Sequence, residues 1–161
     1  MSSRLQQHAA ELLGFAGDVP KAARTAACKE FLKGETAYMK ARHLTGASGL
    51  TIAHHRTQMV DLLLQKLFDY AAASFVRAHD PLPTAVAIVA LGGYGRGELC
   101  PLSDVDVMFL FPTKTKPDAL RALQGHLSDE ILYPLWDCGL DRKSTRLNSS
   151  HTDISRMPSS A

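Results

Sequence analysis

The chain has 161 residues, 45% hydrophobic and 21% charged, which is enough apolar material for one ordinary core and excludes disordered and fibrous compositions. Its formal charge of +2 arises beyond residue 140, where four Lys or Arg face two acids; the first 140 residues balance at 14 against 14, so net charge gives a nucleic-acid partner no support. No apolar run approaches the roughly 20 residues that span a bilayer, and the polar start, with Arg4, Gln6, Gln7 and His8, has no signal-peptide stretch, so a soluble, cytoplasmic protein with no membrane partner is expected.

Residues 2–40 are rich in Ala, and Leu5, Ala9, Leu12 and Leu13 recur at helical spacing, which predicts helix interrupted between Gly17 and Pro20. Gly46, Ser48 and Gly49 predict a loop over residues 44–50. A second helix is predicted over residues 50–78, with Ile52, Met59, Leu62, Leu63, Leu67, Tyr70 and Phe75 as its buried stripe. His54 and His55 on that helix read as a solvated face rather than a metal site. Its end is marked by His79-Asp80-Pro81-Leu82-Pro83, where proline cannot continue the hydrogen-bond ladder. The His-Asp dipeptide there has no companion ligands at suitable spacing and reads as chance.

The Val- and Ile-rich run 85–91 predicts a buried strand that leads into Gly92-Gly93, and residues 105–111 predict a second, closed by Pro112. Over residues 116–136 the spacing of Leu120, Leu123, Leu127, Ile131 and Leu135 predicts an amphipathic helix packed on the sheet, with Gly139 ending it. The three cysteines, Cys28, Cys100 and Cys138, form no CxxC pair and are expected as reduced thiols.

Chemistry concentrates in residues 92–106, Gly-Gly-Tyr-Gly-Arg-Gly-Glu-Leu-Cys-Pro-Leu-Ser-Asp-Val-Asp. Adjacent glycines after a strand let the backbone approach a bound group, and the N–H groups of the turn can bind phosphate oxygens. Strand side chains alternate, so Asp104 and Asp106 share a face and can together hold divalent metal. Two Mg²⁺ ions about 3.5–4 Å apart can activate an attacking oxygen and neutralise a leaving pyrophosphate, and hard oxygen ligands select Mg²⁺ or Mn²⁺. Arg96 is a candidate bidentate clamp for the triphosphate, and Glu98 a candidate ion-pair partner that orients it. A strand, Gly-Gly, a fixed gap, Ser-Asp-x-Asp and a second strand together are far more specific than any one part.

The runs GGYGRGEL and SDVDVMFLF resemble the N-terminal nucleotidyltransferase domain of the bacterial PII uridylyltransferase/uridylyl-removing enzyme family. The likeness extends upstream to Arg56-x-x-x-Val-Asp61-Leu-Leu-Leu and downstream to Leu135-Trp-Asp-x-Gly-Leu140, covering about residues 30–140. The related glutamine-synthetase adenylyltransferase has a different glycine turn. The resemblance implies an α/β (α+β) fold, with N-terminal helices over residues 1–80 followed by a partial sheet of the DNA polymerase β nucleotidyltransferase type over 81–140. It also implies transfer of UMP from UTP to a tyrosine of the PII signalling protein. Gly92, Gly93, Arg96 and Ser103 would bind the nucleotide, and Asp104 and Asp106 would be the catalytic metal pair. A further strand with a third carboxylate, an HD-type phosphohydrolase domain and ACT domains would follow in the family.

Residues 141–161 instead read as a tail without apolar period. The run DRKSTRLNSSH is what a common sequencing adaptor encodes in one frame, so the natural sequence is expected to stop near Leu140 and the chain as written to be inactive. Two other functions fit the same residues: a nucleotidyltransferase-like domain of a different regulatory protein, and a non-catalytic nucleotide-binding or structural fragment.

Overall fold

Ser3 opens helix α1 (Arg4–Leu12) with a capping box: its hydroxyl accepts from the Gln6 N–H at 3.3 Å, and the Gln6 side chain accepts from the Ser3 N–H at 2.9 Å. A computed structural model describes residues 3–79, 81–112 and 115–140; the predicted tail and Asp80 of the His-Asp dipeptide lie outside them. Pro20 directly precedes α2 (Lys21–Leu44), so the predicted interruption of the N-terminal helix is present. Helix α3 (Gly49–His79) follows the predicted loop and buries Ile52, Met59, Leu63, Leu67, Tyr70 and Phe75 along one stripe. None of the described helices is long and apolar enough to cross a membrane.

The three helices meet around a charge that cannot stand alone. Glu35 of α2 is fully buried, and its carboxylate bonds Arg4 and His8 of α1 (Nδ1 at 2.5 Å) and His55 of α3 (Nε2 at 2.8 Å). His54 is solvent-exposed as expected, but His55 is turned inward because the carboxylate needs partners from every helix around it. Burial pushes the Glu35 carboxyl up, but hydrogen bonds from His55, His8 and Arg4 outweigh it and leave the group below its ordinary value. A carboxyl lowered by folding stabilises the fold above its unfolded pKa, and that stabilisation is lost as pH falls through the folded value. Glu35→Gln is therefore expected to lower the melting temperature at neutral pH, with the gap to wild type closing under acid; parallel melting curves from pH 7 down to about pH 3 check it.

Two short strands, β1 (Ala87–Ala90) and β2 (Val107–Leu110), pair antiparallel with Ala90 opposite Val107 and Ala87 opposite Leu110. Between them lies a single helical turn, α4 (Gly92–Gly95). Val105, Val107, Phe109 and Phe111 point into one core, shared with Leu63 and Leu67 of α3 and with Leu123, Leu127 and Ile131 further on. Strand β1 is only partly buried, unlike the fully buried strand its composition predicts: the helices cover one face of this two-stranded sheet, and Leu110 on the other is 41% exposed.

The predicted helix over residues 116–136 is broken into α5 (Pro117–Leu127), a π-helical turn (Ser128–Leu132) and α6 (Tyr133–Asp137). Pro134 supplies the reason, having no N–H for the carbonyl four residues back and a ring that would crowd it. The wider turn, with the Tyr133 N–H bonded to the Ser128 carbonyl, removes that conflict and keeps Leu127, Ile131 and Leu135 in the core. It also presents Glu130 to Arg24 of α2, whose guanidinium is buried, bonds the Val19 carbonyl and lies over the Tyr70 ring at 3.9 Å. All three cysteines are free thiols, as expected, and the Cys138 thiol donates to the Thr25 carbonyl at 4.0 Å.

Candidate active site

The pairing of β1 with β2 joins the two halves of the motif. Beyond the last strand pair the Leu91 N–H donates to the Asp106 carbonyl at 3.0 Å, so the chain enters its glycine turn beside the start of the second strand. Gly92 then takes φ +56°, and a Cβ built there would sit 3.4 Å from Asp106 Oδ2: the left-handed turn and the carboxylate occupy adjoining space. Strand alternation begins ahead of β2 itself. Val105 and Val107 are buried, whereas Asp104 is exposed and Asp106 half-buried on the opposite side.

Gly95 is held more tightly than Gly92. A Cβ there would lie 2.6 Å from the Ala90 carbonyl oxygen, a backbone atom at the end of β1 that cannot swing away. The Gly95 N–H also closes the turn on the Leu91 carbonyl at 2.8 Å, so the helical turn is pressed against its own strand. Gly95→Ala is expected to cost about 1–3 kcal/mol and to displace the glycine turn; a thermal melt, with amide chemical shifts of residues 91–98 as the readout of displacement, checks it.

Helix α3 fixes the remainder of the loop through three side chains. Arg56, buried to 8% exposure, donates to the Cys100 carbonyl and, at 2.9 Å, to the Ser103 carbonyl, the residue before Asp104. Thr57 Oγ1 accepts from the Leu99 N–H at 3.1 Å, and Asp61 accepts from the Tyr94 hydroxyl at 2.7 Å. Burial pulls the Arg56 pKa down, opposed by the negative charge of Asp104; burial and the bond to Asp61 both push the Tyr94 phenol up, so it stays protonated and keeps donating.

Of the residues singled out from sequence, Gly92, Gly93, Asp104 and Asp106 are gathered by the hairpin. Arg96 lies on the same turn, its guanidinium 3.9 Å from where a Gly93 Cβ would be, and its Nε is 3.9 Å from Glu98 Oε2. Both side chains are largely in water, so that ion pair is a weak orienting contact. Ser103 contributes main-chain atoms here: its N–H closes a turn on the Cys100 carbonyl at 3.1 Å and its own carbonyl takes Arg56. Arg56, Thr57, Asp61, Tyr94 and Gly95 carried no assigned role in the sequence. The one available signal was the spacing Arg56-x-x-x-Val-Asp61 on a predicted helix, which puts Arg56 and Asp61 within two turns without naming their partners.

The donor set fits a hard divalent cation. Two carboxylates on one side of an extended segment, one open to water and one against a glycine turn, suit Mg²⁺ or Mn²⁺, which keep waters and take the rest of their shell from substrate phosphates. Among the described residues no group of three His, Cys, Asp or Glu side chains could hold a metal unaided.

A sequence profile described as glutamate-ammonia ligase adenylyltransferase matches residues 2–128. Among curated proteins, the chain is similar to the bifunctional uridylyltransferase/uridylyl-removing enzyme of Rhodospirillum rubrum, 35% identical over 94 residues, 58% of this chain and 10% of that protein. The enzyme of the same description from Caulobacter vibrioides is 36% identical over 101 residues, 62% of this chain and 10% of the relative. The one from Azospirillum brasilense is 34% identical over 125 residues, 77% of this chain and 13% of the relative. The chain thus spans about a tenth of the length of the curated relatives it matches. The profile and these relatives describe nucleotidyl transfer, the chemistry expected of a glycine turn facing an aspartate pair. On these matches the chain belongs to the glutamate-ammonia ligase adenylyltransferase family of nucleotidyltransferases.

Proposed function

We propose that this segment serves a cytoplasmic enzyme that transfers UMP from UTP to a tyrosine hydroxyl of the PII signalling protein and releases pyrophosphate. The observation that supports the reading is the closeness of the Gly92 turn to the Asp106 carboxylate, where a Cβ built on Gly92 would lie 3.4 Å from Oδ2, so that a turn suited to phosphate would adjoin a carboxylate suited to metal. The names of the curated relatives support uridylyl transfer. Asp104 and Asp106 would hold Mg²⁺ or Mn²⁺, which when bound supplies positive charge to the phosphates and the attacking oxygen. The N–H groups of the first turn of α4 would face the triphosphate, and Arg96, exposed on that turn, would reach its outer oxygens. In the step itself the tyrosine oxygen forms a bond to the α-phosphorus, the bond from that phosphorus to the β-phosphate oxygen breaks, and the phenolic proton passes to solvent.

Incubation of a full-length enzyme carrying this segment with PII, Mg²⁺ and UTP labelled at the α-phosphate tests the proposal. Label is expected on a PII tyrosine with equimolar pyrophosphate, and no transfer is expected from UTP labelled only at the γ-phosphate. One observation favours a second reading, since the matching profile is described as an adenylyltransferase. Preferential transfer from ATP in the same assay would establish that reading in place of the first.

A further inference from the structure

Two of the three thiols come together where α2 meets the end of α6. Cys138 ends α6, and the chain after it is held in a hydrogen-bonded turn: the Gly139 N–H donates to the Trp136 carbonyl at 2.9 Å, the Leu140 N–H donates to the Leu135 carbonyl at 3.1 Å, and Gly139 takes φ +74°. That turn fixes the position of Cys138, whose Sγ lies 4.0 Å from the Thr25 carbonyl oxygen of α2. A helical carbonyl is directed toward the residue four positions on, and a helical side chain leans back over the preceding turn. The Cys28 thiol, three residues after Thr25, therefore lies beside the same oxygen. Cys28 is fully buried, and Cys138 is half-buried against the same core. Cys100 is exposed, in the loop held by α3.

The two thiols differ in exposure and in acidity. The neighbouring Cys28 lowers the Cys138 thiol against the effect of burial, with help from Lys29; Cys138 and burial raise the Cys28 thiol, with Arg24 opposing. The more acidic sulfur is thus the one that solvent reaches. We propose that Cys28 and Cys138 are a reversible oxidation site, joined as a disulfide by hydrogen peroxide with Cys138 reacting first. The Cys138 thiolate attacks one peroxide oxygen, the O–O bond breaks, and the departing oxygen takes a proton and leaves as water, which makes Cys138 a sulfenic acid. A sulfenic acid carries no charge, so the neighbouring anion that held the Cys28 proton is gone. The Cys28 sulfur then attacks the Cys138 sulfur, the S–O bond breaks, and the hydroxide leaves as water with the Cys28 proton. In sum, two thiols and one hydrogen peroxide give one disulfide and two waters. The bond ties α6 to α2 close to the Arg24–Glu130 pair, which already joins α2 to the π-helical turn, and closes the chain between them, hairpin included, into one covalent loop.

The test treats a full-length enzyme carrying this segment with a small molar excess of hydrogen peroxide, alkylates it in denaturant and digests it without reductant for mass spectrometry. The expected result is a cross-linked pair of peptides joining Cys28 to Cys138 within one chain, with loss of the alkylated form of both, and recovery of both after dithiothreitol. Cys28→Ala should leave Cys138 as a sulfenic acid that dimedone captures, whereas the wild type should yield little adduct. Cys138→Ser should leave Cys28 alkylated in full at the same dose, because the buried thiol has lost the sulfur that reacts first. The wild-type peptides decide the question even where a substitution at buried Cys28 lowers stability. Cys138 joined to Cys100 or to a second copy of the chain would overturn the proposal. So would Cys138 carried on to sulfinic acid while Cys28 stays free, or full alkylation of Cys28 in the oxidised wild type.

Discussion

Asp104→Asn and Asp106→Asn are each expected to lower kcat for nucleotidyl transfer by about 10³-fold or more while leaving the fold in place. The size follows from the charge at stake: a carboxylate that holds a divalent cation against the reacting phosphate supports several kcal/mol of transition-state stabilisation, and about 4 kcal/mol is three decades of rate. Asparagine keeps the shape and one oxygen but loses the charge. Neither side chain belongs to the core, Asp104 being exposed and Asp106 half-buried, so circular dichroism and melting temperature should change little. Steady-state transfer measured over a range of Mg²⁺ and Mn²⁺ concentrations checks the prediction. A variant that recovered wild-type kcat at high metal would show that the substituted carboxylate only tightens binding of the ion.

Arg56→Met should have the next largest effect, a drop in kcat of about 10–100-fold. The guanidinium touches no reacting group and acts by fixing the Cys100 and Ser103 carbonyls, hence the stretch that ends in Asp104. Charged hydrogen bonds of this kind contribute about 1.5–3 kcal/mol each, and a methionine leaves two carbonyls without their donor. Stability should fall as well, but a purely structural loss would not change the metal dependence. A loosened Asp104 should raise the Mg²⁺ concentration needed for half-maximal rate, and that shift is the measurement to make. Arg56→Lys should restore only part of the rate, since one ammonium on a flexible stem does not reproduce a planar fork across two acceptors.

The uneven legibility of this chain has physical causes. Helices α1 and α3 show in the sequence because their apolar spacing is local, and so does the glycine turn, because Gly-Gly between two apolar runs and ahead of Ser-Asp-x-Asp is a specific combination although each part alone is common. Asp104 and Asp106 share a side because strand alternation starts ahead of the regular pairing. What stayed hidden depends on partners distant in the chain. His55 looks like a surface residue until Glu35, 20 positions earlier, is seen to be buried beside it. Arg56 and Thr57 look like ordinary polar helix positions until the loop more than 40 residues later is folded onto them. The break after Leu127 was readable in principle from Pro134, but the intact leucine spacing masked it, because the π turn exists to preserve that spacing.

Arg56, Thr57 and Asp61 lie within six residues of one another, so the three side chains by which α3 bonds residues 94–103 come from about 8 Å of a helix roughly 46 Å long. The site takes its coordinates from that short length of rod. Changes near the far end of α3 reach only the packing around them, whereas a one-residue slip in its first half would carry all three grips along together. For anyone transplanting this chemistry to another scaffold, the portable unit is the hairpin with those two turns of helix, and either part alone would arrive without its frame of reference.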